Sequence, residues 1–364
     1  MLSVNLKIKP LQIQNFRQIQ KNEPEKAEFI CKNKSNNLQS IKTDNYKANF
    51  IPFCSAHVTK VFDAHGHIMD DSRTFKDQGI DRNLTLPIIK SATSELEDGV
   101  EVDYVAVSNL EGFVPENQGV GKPRMDFVKA NEIMLAKCEE ENAKDPSFGP
   151  KFLPQAVCDP TCDDPERLEA FENFLNKNQE KICGFKFHPT HSGITPTDVS
   201  YQPFIELAAK YKMPCFFHTA GETNNNGEVW PADPKTIAKF AQNLYKKAPD
   251  VPVVLYHINL GGWDKFQPLN LVKDLNNEKK ANLFLEVSWV EPDLIIKALK
   301  MGLEDKILFG TDTPLGPMGN NKGYFARVKE IENAVNDNFP DEKRAQEILD
   351  KLFYKNAENI FTTR

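Results

Sequence analysis

The sequence predicts an α/β fold, a single (β/α)8 TIM barrel over about residues 60–335, with an N-terminal extension and C-terminal helices. Two observations lead to this prediction. From Lys60 onward, β-type segments alternate with single amphipathic helical segments, and this alternation is typical of parallel sheets. Eight such units that close into a barrel need about 250 residues, and the chain has 364.

Eight segments have the composition of strands. They are rich in β-branched and aromatic residues, and most are bounded by Gly, Pro, Asn or Asp, which favour turns. The predicted strands span residues 60–67, 102–110, 151–160, 181–189, 213–221, 251–260, 281–289 and 306–314.

Amphipathic helices are predicted between these strands, because apolar residues recur there at a spacing close to 3.6. Pro165, Pro234 and Pro292 lie near helix starts, where proline is tolerated. One further helix or helix pair, residues 341–361, is expected to pack on the outside of the barrel. The other helices are predicted over residues 124–142, 165–178, 201–212, 233–248 and 291–302.

Residues 1–59 differ from the rest of the chain. They carry nine Lys and Arg against four Asp and Glu, whereas residues 60–364 carry 36 against 48. Asn, Gln and Lys dominate this segment and strong periodicity is absent. We therefore predict an extension that is partly disordered or packed on the surface, followed by the barrel and its helical tail over residues 60–364.

Composition excludes several classes of function. The net charge is −7 and no long basic stretch occurs in the body, which argues against nucleic-acid binding. No apolar run approaches the roughly 18 residues of a membrane span, and no secretory signal is recognisable. Seven scattered cysteines favour a reduced, cytoplasmic protein. A small-molecule substrate is expected, and assembly into a homo-oligomer stays open.

The triplet His65-Gly66-His67 ends the first predicted strand. Because side chains alternate along a strand, both histidines are expected on one face, with Phe62 and Ala64 on the other. Two neighbouring imidazoles can bind one metal ion at about 2.0–2.1 Å per nitrogen. The triplet is therefore half of a candidate metal site.

The other half is predicted from barrel geometry. The C-terminal ends of all eight strands meet at one mouth of such a barrel. His218, His257 and Asp312 end the fifth, sixth and eighth predicted strands. A single histidine at a strand end is usually a packing residue, but the joint placement of these side chains favours a metal site.

The motifs FDAHGH, GFKFHP, FFHTAG, VLYHINLGG and ILFGTDTP resemble those of the amidohydrolase superfamily. The chain is most similar to its amidohydrolase-related branch of metal-dependent hydrolases and decarboxylases, over residues 60–364. The resemblance implies one divalent ion, zinc first, with manganese or iron as alternatives. It also implies four ligands, namely His65, His67, His218 and Asp312.

The resemblance further implies roles in catalysis. Asp312 would accept the proton of the metal-bound water, and His257 would act as an acid/base or electrophilic group. For Lys186 two readings stay open: a carboxylated lysine that bridges two metals, or a cation that binds a substrate carboxylate or another protein group. His188 and Glu286 are candidates for contacting the substrate or supporting a ligand.

Three functions follow from these residues. The first is hydrolysis of an amide, lactone or ester bond by a metal-activated water. The second is metal-dependent decarboxylation or hydration of an unsaturated or aromatic carboxylic acid. A cation that binds the substrate carboxylate would favour this reaction, and we find no convincingly placed arginine at a strand end. The third is a catalytically inactive metal-binding scaffold, which the retention of both Asp312 and His257 argues against.

Overall fold

A computed structural model of the chain describes residues 55–69, 86–93, 99–112, 125–144, 149–221, 230–260, 262, 264–315 and 323–362. Residues 1–54 lie outside the described residues. The predicted state of the extension, and its boundary with the barrel, therefore stay predictions.

Eight parallel strands follow one another around a single sheet, in chain order. Hydrogen bonds from Ala64 N to Phe309 O (3.0 Å) and from His67 N to Thr313 O (2.8 Å) join the first strand to the chain beyond the last. This arrangement confirms the predicted (β/α)8 barrel. The strands are β1 (Lys60–Ile68), β2 (Glu101–Asn109), β3 (Lys151–Val157), β4 (Gly184–Phe187), β5 (Cys215–Ala220), β6 (Val253–Leu260), β7 (Leu283–Glu286) and β8 (Ile307–Leu308).

Helices alternate with these strands, and three of them begin at Pro165, Pro234 and Pro292, close to their predicted starts. Proline occupies the first turn of several helices, and the side chains of Asp164 and Asp233 cap the backbone N–H groups of two of them. Aspartate is among the residues most strongly preferred for this capping role. The α-helices are α1 (Leu86–Thr93), α2 (Phe127–Lys144), α3 (Pro165–Asn178), α4 (Pro189–Ser192), α5 (Gln202–Tyr211), α6 (Pro234–Lys247), α7 (Gln267–Asn277), α8 (Pro292–Lys300), α9 (Tyr324–Asn338), α10 (Glu342–Asp350) and α11 (Asn356–Phe361).

Strand β1 departs from strict alternation. Phe62 and Ala64 belong to the apolar cluster inside the barrel, and His65 faces the interior as well, where its ring lies 3.9 Å from that of a tyrosine in the same cluster. The prediction that Phe62 and Ala64 face away from His65 was therefore wrong. The register between β1 and β2 shifts between Asp63 and Gly66, and such a bulge re-aims the side chains that follow it.

The C-terminal tail closes one end of the barrel instead of packing only on its outside. The ring of Phe361 lies 5.0 Å from that of Phe62 and 4.9 Å from that of Phe216, both inside the barrel. Leu352 O accepts a hydrogen bond from Phe309 N at the end of β8. The amphipathic pattern predicted the helices correctly, but it could not show that their apolar face covers the barrel interior.

We expect Phe361→Ala to destabilise the barrel by about 3 kcal/mol, because it removes a buried aromatic ring and leaves a cavity. Phe266, which is 50% exposed, provides the matched control. Phe266→Ala should cost about 1 kcal/mol or less, since much of its surface already faces solvent. Urea unfolding midpoints would measure both effects, and equal losses would contradict this account of the tail.

Candidate metal centre

Three potential ligand atoms converge at the mouth of the barrel. Nε2 of His65 and Nε2 of His67 are 3.0 Å apart. Oδ1 of Asp312 lies 3.0 Å from Nε2 of His67 and 3.5 Å from Nε2 of His65. All three residues are buried. The barrel thus brings together side chains that are 245 and 247 positions apart in the chain.

These spacings fit a divalent ion. Atoms that share an ion at about 2.0–2.1 Å lie about 2.9 Å apart in octahedral and about 3.3 Å apart in tetrahedral geometry, from the bond lengths alone. Two of the observed separations, 3.0 Å each, fall in this range, and the third, 3.5 Å between His65 and Asp312, lies slightly above it. Oδ1 of Asp312 is buried and accepts no hydrogen bond from the described residues, although buried carboxylate oxygens normally do. A cation would satisfy this oxygen.

Hydrogen bonds at Nδ1 orient the two histidine rings. Oγ of Ser108 lies 2.9 Å from Nδ1 of His67. Nδ1 of His65 lies 3.2 Å from Oγ of Ser288 and 3.3 Å from Oε2 of Glu286. Partners at Nδ1 fix the tautomer and leave the Nε2 lone pair for a metal. Ser108 and Ser288 therefore do the positioning that metal-binding histidines commonly require.

His257 and His218 continue the same network. Oγ of Ser288 donates to Oε2 of Glu286 (2.8 Å) and lies 2.8 Å from Nδ1 of His257. His257 then donates from Nδ1 to Ser288, so its Nε2 accepts from Nδ1 of His218 at 3.1 Å. This assignment of hydrogens follows from the network. It leaves Nε2 of His218 unprotonated, as a metal ligand must be.

His218 and His188 stand at the edge of the cluster. Among the described residues, neither belongs to a group of three ligand atoms within 4.8 Å of one another. Their rings stack on each other, with centroids 3.9 Å apart, and His188 precedes the short helix α4. The structure thus places the predicted fourth ligand beside the other three but not among them.

Lys186 enters the cluster from β4. Its Nζ lies 3.0 Å from Nε2 of His65 and 3.8 Å from the centre of the Tyr256 ring. Burial lowers the pKa of Lys186 to about 7, although Asp312 and Glu286 oppose this shift. A partly neutral amine can lie beside a cation at lower cost than a fully charged one.

A comparison with known protein families identifies the family to which this chain belongs. A family model described as amidohydrolase matches residues 157–362, which is more than half of the 364 residues. The chain belongs to the amidohydrolase family. The match confirms the resemblance seen in the sequence motifs, and it contains Lys186, His218, His257 and Asp312. His65 lies on β1, outside the matched residues.

Several solved structures share the barrel fold of this chain. A candidate amidohydrolase from Staphylococcus aureus has a TM-score of 0.55 at 13% identity, covering 84% of this chain and 100% of that one. A 5-carboxyvanillate decarboxylase from Sphingomonas paucimobilis has a TM-score of 0.51 with the same identity and coverage. A 5-carboxyvanillate decarboxylase from Novosphingobium aromaticivorans, in complex with manganese and 4-hydroxy-3-methoxy-5-nitrobenzoic acid, has a TM-score of 0.51 at 13% identity, covering 84% and 96%.

At this identity, the likenesses establish the fold alone. A search among curated proteins gives no significant match. In the described part of the chain, no helix is both long and apolar enough to cross a membrane.

Burial controls the charges of the titratable groups in this site. It lowers the pKa of His257 to about 4 and that of His65 well below the usual value, so both rings are neutral at pH 7. Burial raises the pKa of Glu286 to about 8. Burial would raise the pKa of Asp312 too, but the approach of His67 and His257 outweighs it and holds the pKa below its ordinary value. Asp312 is therefore the ionised carboxylate of the site.

Backbone strain is concentrated at the same mouth. His257, Ile258, Trp289 and Asp312 all have positive φ, between 44° and 69°, a region that residues other than glycine rarely adopt. His257 and Ile258 lie within β6, and Trp289 and Asp312 follow β7 and β8. Such strain persists only where the surroundings enforce it, and it is typical of functional sites.

Two residues of the site were not predicted from the sequence. Asp63 accepts hydrogen bonds from the backbone N–H and the hydroxyl of Thr311 (3.1 and 2.6 Å), which ties β1 to the segment that carries Asp312. Tyr256 packs against His65 and Lys186. The aspartate before the histidine triplet was the only available signal, since a buried acid at this point needs a partner.

We expect the double variant His65→Ala/His67→Ala to bind no stoichiometric metal, because it removes two of the three converging ligand atoms. Elemental analysis of the purified protein would measure this loss. His57→Ala is the matched control, since its ring contacts Glu332 at 2.7 Å instead of the site, and it should keep the metal content of the unmodified chain. One tightly bound ion per double-variant chain would place the metal elsewhere.

Proposed function

We propose that this amidohydrolase is a metal-dependent hydrolase that cleaves an amide, lactone or ester bond of a small organic substrate. The observation that carries the proposal is the convergence of two imidazole nitrogens and one carboxylate oxygen that accepts no hydrogen bond, at separations of 3.0–3.5 Å. No other group of the described residues combines such spacing with a buried, ionised acid.

His65, His67 and Asp312 would hold the ion, with His218 as the fourth ligand. We propose zinc, because three imidazoles and one carboxylate suit it; manganese or iron are alternatives that the same donors accept. Manganese is present in the Novosphingobium aromaticivorans decarboxylase. When bound, such an ion acts as a Lewis acid and makes water acidic enough to ionise near neutral pH.

The protein residues divide the remaining work. Asp312 is ionised and can take a proton from a water molecule at the mouth of the barrel, as a general base does. Lys186 can donate a hydrogen bond to an oxygen of the substrate from within the site. Both ring nitrogens of His257 contact protein groups, so in this arrangement it orients His218. To donate to a substrate, His257 would have to break its contact with His218 and gain a proton at Nε2, the atom that accepts from His218 here.

The ionised state of Asp312 favours hydrolysis over decarboxylation. Hydrolysis needs a group that removes a proton from water, whereas decarboxylation ends with delivery of a proton to carbon. The pKa of Asp312 lies below its ordinary value, so at pH 7 it can accept a proton but has none to deliver. Decarboxylation is the second candidate, because the buried amine of Lys186 could bind a substrate carboxylate.

A substrate panel tests the two candidates together. The metal-loaded protein would be incubated at pH 7.5 with lactones, esters and amides, and separately with aromatic and unsaturated carboxylic acids. Hydrolysis of an ester or a lactone should release acid in a pH-stat, hydrolysis of an amide should release an amine, and neither should form carbon dioxide. Release of carbon dioxide from an aromatic acid, with no turnover of any ester, lactone or amide, would replace the first proposal by the second. No turnover across the panel would favour an inactive scaffold.

We expect Asp312→Asn to lower kcat by about 10²–10⁴-fold with a panel substrate, because no other ionised group is placed to accept the proton. The ion should still bind at saturating concentration, since the histidines remain. Activity and metal content would be measured on the same preparation. Asp103→Asn, which alters a carboxylate paired with Lys60 at 2.9 Å on the barrel surface, is the control. Near-normal kcat in Asp312→Asn would refute the role of Asp312 as the base.

A further inference from the structure

Trp289 is hydrogen-bonded directly to the carboxylate of Asp312 at the centre of the site. It follows β7 with a φ of 63°, and its indole Nε1–H donates a hydrogen bond to Oδ2 of Asp312 at 2.6 Å. The side chain is 40% exposed, so its position is not explained by burial of the ring. Its polar edge meets the one ionised acid of the site.

Hydrogen bonds within the turn and from α9 stabilise the turn that carries Trp289. The N–H of Val290 donates to Val287 O at 3.2 Å, which closes the turn. Nη2 of Arg327, on α9, donates to the carbonyl oxygens of both Val287 and Val290, and Arg327 is buried. These contacts enforce the left-handed backbone at Trp289, which would otherwise be unfavourable by about 1 kcal/mol or more. The turn therefore presents the indole N–H in a fixed direction.

The two oxygens of Asp312 consequently have different surroundings. Oδ2 accepts the hydrogen bond from Trp289, whereas Oδ1 faces the histidine pair and accepts none. A carboxylate with both oxygens available can bind a metal through one or through both of them. An N–H that occupies one oxygen leaves only the other for the ion.

We propose that Trp289 is a positioning residue that makes Asp312 a one-oxygen metal ligand. This inference rests on the proposed metal site. It differs from a reading of Trp289 as part of an aromatic wall for the substrate, because a wall depends on the ring and not on its N–H. The two readings diverge when the N–H alone is removed.

The test is Trp289→Phe, with Trp230→Phe as the matched control. Trp230 is also 40% exposed and packs on Gly221. Metal-free proteins would be titrated with Co²⁺ against a chelator, and visible absorption per bound ion would be recorded. Trp289→Phe should weaken Co²⁺ binding by about 10–100-fold, as loss of a group that orients a ligand usually does. Its absorption should also fall, because binding through both oxygens raises the coordination number. Trp230→Phe should change neither.

A double-mutant cycle separates positioning from general damage. In an Asp312→Asn background, Trp289→Phe should change Co²⁺ affinity by about twofold or less, since the group it positions is already altered. Independent effects would instead add and give the same loss in both backgrounds. If Trp289→Phe binds Co²⁺ as Trp230→Phe does, the inference is wrong and the metal site stands. An equal loss in both backgrounds also overturns it. If the unmodified protein binds no Co²⁺, both the proposed function and this inference are wrong.

Discussion

The junction between the first strand and the chain beyond the eighth is the constraint on which the site depends. His67 N donates to Thr313 O, and Asp63 accepts from both the backbone and the hydroxyl of Thr311. These bonds flank Asp312 on both sides and fix it opposite the histidines of β1. Without closure of the barrel, two residues 245 positions apart would have no reason to meet.

Close packing at this junction also explains the glycine of the motif FGTDTP. A Cβ atom at Gly310 would overlap the carboxylate of Glu286 on the neighbouring strand. Only glycine therefore fits at position 310. Glu286 in turn accepts from Ser288 N (2.5 Å) and from the Ser288 hydroxyl. A single close approach thus connects the last strand to the network that orients His65 and His257.

The chain buries this polar network at a cost in stability. Histidines that stay neutral, an amine whose pKa falls to about 7 and an acid whose pKa rises to about 8 all record the penalty of removing charge from water. The apolar layer between strands and helices, together with the aromatic cluster closed by α11, stabilises the barrel against this cost. Strained backbone at His257, Trp289 and Asp312 follows the same logic, since only a rigid scaffold can hold it.

The pattern of residues along the chain was enough to predict the barrel, and it suggested which residues lie at its mouth. The alternation of strand and helix patterns indicates a parallel sheet, and its closure places every strand end at one mouth, so that His65, His67, Lys186 and Asp312 could be predicted to meet.

Periodicity is a local property, however, and three features of the structure could not be predicted from it. The bulge in β1 turns Phe62 and His65 to the same side, because strand pairing and not alternation sets the register there. The tail covers the barrel interior, because only the folded chain shows which apolar face lacks a partner. The roles of Ser288 and Trp289 depend on distances across neighbouring strands, which side-chain packing decides after the barrel has closed.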